Sequence, residues 1–204
     1  MKPKLRHHFL SHLHRTIWGL CISLLVFESC ETPTRHLNYG YFASEARRPT
    51  SEERKVLKQA KDIHKIYVPL FQIDWDWRLD APVPLQSTKI NYDVFPPGYT
   101  SIPVVSISPR LLEKMKAGDL KQLGEQMVLR IQSLTEEAKL ETILVDYAWT
   151  SETYPAFVDL IQQIRSELPV TVGINLPLHY FRHHATTGVP PGDFVVLQVF
   201  NALA

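Results

Sequence analysis

Thr142-Ile-Leu-Val-Asp-Tyr-Ala-Trp149 is the stretch on which the fold turns. It is short, β-branched and almost continuously apolar, the pattern of a parallel strand buried on both faces. A single carboxylate, Asp146, interrupts it. Upstream, Leu120, Leu123, Met127, Ile131 and Leu134 recur at helical spacing behind Asp119-x-x-Gln122, a capping-box pattern. Downstream, Tyr154, Phe157, Val158, Ile161, Ile164 and Leu168 form a second apolar stripe. That stripe stops at Pro169, where a helix cannot easily continue. A buried strand between two amphipathic helices predicts helix-linked parallel strands.

The same alternation extends outward. Strands are predicted over Leu37–Phe42, Lys65–Trp75, Ser101–Ser108, Thr142–Trp149, Val170–Pro177 and Phe194–Asn201. Thr50-x-x-Glu53 is a further capping box, opening a helix whose Val56, Leu57, Ala60 and Ile63 share one face. Residues 78–99 resist the scheme: they carry Pro82, Pro84, Pro96 and Pro97 without helical period, which suits a small hairpin or a flap. The fold class is α/β. Six predicted strands fall short of a complete (β/α)8 barrel, which takes about 250 residues. The expectation is therefore a partial or truncated TIM-type barrel, with a small open α/β sheet as the alternative. Ending on Gln198-Val-Phe-Asn-Ala-Leu-Ala204, directly after a strand, favours truncation, because it leaves an apolar edge.

Composition narrows the function classes. Of 204 residues, 45% are hydrophobic and 21% charged, with a formal charge of +1, which argues against nucleic acid as a partner. The charge is unevenly spread. Residues 1–30 hold Lys2, Lys4, Arg6 and Arg15 against one acid, Glu28. This basic start precedes an apolar run, Thr16–Phe27, shorter than the ~20 residues a membrane span needs, and reads as a secretory signal. Ser29-Cys30 closes it. Residues 1–30 are thus expected to be a signal segment, and residues 31–204 the barrel-like domain. His7, His8, His12 and His14 fall in the segment expected to be discarded. The two cysteines, Cys21 and Cys30, fall there too, so residues 31–204 hold no thiol for a disulfide, a cysteine nucleophile or a thiolate metal site.

Three groups of residues could carry chemistry. In Phe71-Gln-Ile-Asp-Trp-Asp-Trp77, strand alternation puts Gln72, Asp74 and Asp76 on one face and Trp75 and Trp77 on the other. Paired carboxylates suit acid/base work and indoles suit sugar faces; alternatively, the acids bind turn amides and the indoles pack. Asp146 near a strand end stands where barrel enzymes collect catalytic groups, or it caps a loop or pairs with a base. Asn175 and Gln198 could bind a sugar hydroxyl or bond each other in the core. His179, His183 and His184 read as loop histidines. No phosphate-binding glycine loop, Gly-x-Ser-x-Gly elbow or His-Glu-x-x-His occurs, and no metal or other cofactor is expected.

Ser29-Cys30 resembles the end of a bacterial lipobox, which implies lipidation at Cys30 and a membrane-anchored envelope protein. The segments Lys65-Ile-Tyr-Val-x-x-Phe-x-Ile-Asp-Trp-Asp76, Ile143-Leu-Val-Asp-Tyr-x-Trp-Thr150 with Tyr154, and Gly188-Val-Pro-Pro191 resemble a group of Bacteroidetes-type lipoproteins. That group carries a domain of unknown function with a glycoside-hydrolase-like barrel, and the likeness spans residues 37–204. It implies Asp74, Asp76 and Asp146 as pocket residues. On this reading the chain hydrolyses or binds glycan. Asp146 would be acid or nucleophile with Asp74 or Asp76 as partner, and Trp75, Trp77, Trp149, Asn175 and Gln198 would contact the sugar. A non-catalytic module binding glycan or protein, and a remnant of a longer protein, are the alternatives.

Overall fold

Strand order decides the architecture. The structure, a computed structural model, describes residues 37–116, 118–136 and 140–199; residues 1–30, expected to be a signal and including Cys30, and Asn201 lie outside them. Among these residues the chain runs β1 (Tyr39–Phe42), α1 (Ser51–Gln59), β2 (Ile63–Asp76), β3 (Ala81–Leu85), a 3-10 turn at Tyr92–Val94 and β4 (Thr100–Ile107). It continues through α2 (Pro109–Lys114), α3 (Leu120–Leu134), β5 (Thr142–Tyr147), α4 (Tyr154–Glu167) and β6 (Thr171–Pro177). Two short helices, α5 (Leu178–Arg182) and α6 (His184–Thr187), then lead to β7 (Phe194–Gln198). Strands β1, β2, β4, β5, β6 and β7 lie side by side in chain order, all parallel, in a curled, open sheet that forms a half-barrel.

That order has a direct consequence. Crossovers between parallel strands are right-handed, so connections that always advance one strand in the same direction all fall on one face. The convex face accordingly holds the main core: Val105 and Ile107 of β4, Ile143, Val145 and Tyr147 of β5, and Val172, Ile174 and Leu176 of β6. Against them pack Leu123, Met127 and Ile131 of α3, and Phe157, Ile161 and Ile164 of α4, each at most 1% exposed. Truncating one of these side chains to Ala costs about 2–5 kcal/mol. The concave face carries a smaller cluster of Tyr67, Ile102, Val104 and Leu144, flanked by Phe42, Phe194 and Val196.

Local chemistry explains the elements. At α1 the capping box is complete: the Glu53 amide donates to Thr50 Oγ1 at 3.2 Å, and the Thr50 amide donates to Glu53 Oε2 at 2.6 Å. Val56, expected on the buried face, is largely exposed, and Leu57 alone is buried. At α3 the helix begins as expected, yet Asp119 makes no side-chain cap. Its backbone is helical (φ −93°, ψ −12°) rather than extended, unlike a typical N-cap residue.

Residues 78–99 contain a hairpin strand where the usual crossover would have a helix. Strand β3 pairs antiparallel with Gln72–Asp76, the far half of the long β2, whose near half pairs with β1. Pro82 and Pro84 have no N–H to offer, so β3 suits a sheet edge. Ile90 and Phe95 then supply the convex-face cover that a helix would have given. Strand β2 accommodates both partners through an irregularity: Pro69 pairs with Val104 and Phe71 with Val105, which leaves Leu70 as an extra residue.

Candidate functional site

The concave face turns polar at the C-terminal ends of four neighbouring strands. Register aligns Ser106 of β4 with Asp146 of β5. Asn175 of β6 lies opposite Val196, and Gln198 of β7, two residues further on, reaches back to it. Their side chains are joined. Asn175 Nδ2 donates to Asp146 Oδ1 at 2.8 Å and to Gln198 Oε1 at 2.7 Å, and Ser106 Oγ donates to Asp146 Oδ2 over a long 3.5 Å. In a (β/α) sheet, functional groups collect at this end of the strands.

This polar row forms one wall of a cavity of about 390 Å³. Tyr41, Phe42, Ala43, Pro69 and Val104 form the apolar wall. The Tyr41 hydroxyl is held by Glu53 Oε1 at 3.3 Å, and burial together with that carboxylate pushes its phenol above the usual range. Its ring packs on the side of the main core, whereas Phe42 and Val104 belong to the concave cluster. Asn175 is 1% exposed, both its N–H groups are used, and its Oδ1 has no hydrogen-bond partner. A buried acceptor left unmatched costs about 1–3 kcal/mol. Asp146 is the one charged side chain lining the space, and no Lys, Arg or His among the described residues forms an ion pair with it.

The other residues singled out in the sequence lie apart. Neither Asp74 nor Asp76 lines this cavity. Asp74 Oδ1 accepts from the Trp75 amide at 2.8 Å, and Asp76 Oδ1 accepts from the Arg78 and Leu79 amides at 2.7 and 3.2 Å. Both carboxylates thus serve backbone at the β2–β3 turn. Trp75 lies on the convex side, partly buried, in a separate cavity of about 250 Å³ beside α3. Trp77 is 77% exposed under the Arg78 guanidinium, 5.0 Å from its ring.

Trp149 requires a correction as a sugar platform. It is 1% exposed, stacked with Tyr180 and Phe157 at 4.7 and 5.6 Å, and its Nε1–H donates to the Thr187 carbonyl at 2.8 Å. Strand alternation sends Asp146 inward, and therefore Tyr147 and Trp149 outward into the helix layer. The histidines, expected in loops, instead accompany two short helices: His179 lies in α5, His184 opens α6 and His183 joins them. Among the described residues no group of His, Cys, Asp or Glu is arranged to hold a metal ion.

Asp146, Asn175 and Gln198 come together; Ser106, Tyr41 and Phe42 were not expected with them. Ser106 had a signal of the same kind, a polar residue at an inward position of Val104-Val105-Ser106-Ile107. Tyr41 and Phe42 had none, because only sheet curvature carries β1 to the rim of the cavity. Comparison with protein-family models, curated proteins and solved structures finds no match for this chain.

Proposed function

We propose that the chain is an envelope lipoprotein, anchored through Cys30, whose half-barrel binds a glycan unit in the concave cavity. The polar row from Ser106 to Gln198, facing an apolar wall and presenting the Asp146 carboxylate, carries this reading. A saccharide ring has both surfaces: an apolar face for the Phe42 and Val104 side and hydroxyls for Asp146 and Gln198. Binding fits better than hydrolysis by paired carboxylates, since Asp146 is the one carboxylate lining the space and hydrolysis takes two, roughly 5–10 Å apart.

Calorimetry of the full chain against neutral and amino monosaccharides tests the site. Binding is expected, and Asp146→Asn should weaken it about tenfold, the equivalent of ~1.4 kcal/mol. No heat with any sugar overturns the reading, and release of reducing ends from an oligosaccharide replaces binding with hydrolysis. For the anchor, the intact mass of protein extracted from bacterial membranes should equal residues 30–204 plus a diacylglyceryl group. An unmodified full-length mass would remove the lipoprotein claim.

A further inference from the structure

We infer that the ligand of the concave cavity brings a protonated amine beside its hydroxyls: an amino sugar with its nitrogen free. The inference rests on the saccharide reading and narrows it.

The polar wall carries one charge and few uncommitted groups. Both N–H groups of Asn175 are committed, to Asp146 Oδ1 and to Gln198 Oε1. The Ser106 hydroxyl is directed at Asp146 Oδ2, and the Tyr41 hydroxyl at Glu53. The acceptor capacity left open to a ligand is that of the Asp146 carboxylate, in its further lone pairs. The two N–H groups of the Gln198 amide and the hydroxyl of Ser44, which also lines the cavity, are the remaining side-chain donors. A ligand group that meets Asp146 must donate.

Charge selects among donors. Asp146 lines the cavity without a cation partner among the described residues, held by one amide and one long hydroxyl contact. A neutral hydroxyl would supply a hydrogen bond and leave the charge unbalanced. A primary ammonium supplies three donors and the counter-charge, and hydrogen bonds between charged partners are roughly twice as strong as neutral ones. N-acetylation would remove that charge and turn a carbonyl acceptor toward acceptors. A uronate or a phosphosugar would set like charges together. The volume, about 390 Å³, lies near the lower end of ligand pockets, which run from roughly 300 to 1,000 Å³, and suits a single ring.

The test is isothermal calorimetry of the full chain with D-glucosamine, D-glucose, N-acetyl-D-glucosamine and ethanolamine, at a pH that keeps the amines protonated. Glucosamine should bind about tenfold tighter than each of the other three. In Asp146→Asn, which keeps the shape and removes the charge, glucosamine and glucose should come within about twofold of each other. Glucose binding retained in Asp146→Asn shows that the variant is folded, and Trp77→Ala, at an exposed residue outside the cavity, should keep the parent preference. Glucose bound as tightly as glucosamine overturns the amine assignment and leaves the saccharide reading intact. Ethanolamine bound as tightly as glucosamine overturns the sugar identity. Failure of all four to bind overturns both.

Discussion

Asn175 makes its two side-chain hydrogen bonds with both N–H groups, one to a carboxylate and one to an amide, while itself 1% exposed. Replacing it with a carboxylate tests that arrangement directly. Asn175→Asp removes both donors and sets a second negative charge where the first carboxylate is 2.8 Å away. Two carboxyls at such a distance cannot both ionise cheaply, so one pKa rises in the folded state. A carboxyl with a raised folded pKa adds stability below its unfolded pKa and loses it as pH rises. The variant should therefore be destabilised at neutral pH, by about 3 kcal/mol, and should recover toward pH 4. Urea unfolding at the two pH values checks it, and an equal deficit at both would show that only packing was lost.

At the scale of elements, α1 shows how one residue's sequence neighbours set its titration. The Thr50 amide, then the Arg47 guanidinium, hold the Glu53 carboxyl down at about 2. A carboxyl with a lowered folded pKa contributes stability that is complete above its unfolded value, near 4.3, and lost as pH falls toward 2. Glu53→Gln should thus flatten the stability profile between about pH 5 and 2 relative to the parent protein, measured by thermal unfolding. Thr50→Ala should cost about 0.5–2 kcal/mol at neutral pH through the lost cap. Strand β3 illustrates a different device. Prolines at alternate positions suit it to an edge, and their missing N–H groups leave less for another strand to pair with.

For the whole molecule, protection should follow position in the sheet. Strand β5 lies between β4 and β6, with Ile143, Leu144 and Val145 0% exposed. Strand β7 is the edge of the described sheet, and Val195 and Leu197 on its convex side are 42% and 37% exposed. Amides of Leu144–Asp146 should exchange slowest, and those of Phe194–Gln198 about tenfold faster or more, by hydrogen-exchange mass spectrometry. Equal protection would mean that β7 is covered on its outer side.

Much of this was legible in the chain before folding. Continuous apolar runs bounded by helical stripes marked β4, β5, β6, α3 and α4 because burial on both faces leaves no polar alternation to obscure. The Thr50 cap was legible because its partners lie three residues apart. The hairpin strand β3 was anticipated only as one option for residues 78–99, since its pairing depends on a partner distant along the chain. The site was divided in the same way. Asp146, Asn175 and Gln198 each stood out as polar residues in apolar strands, a local property. That they share one cavity with Ser106, Tyr41 and Phe42, while Asp74, Asp76 and Trp149 serve turn and core, was decided only by tertiary structure. Strand register and sheet curvature set those distances, and both arise from pairings between residues far apart in sequence.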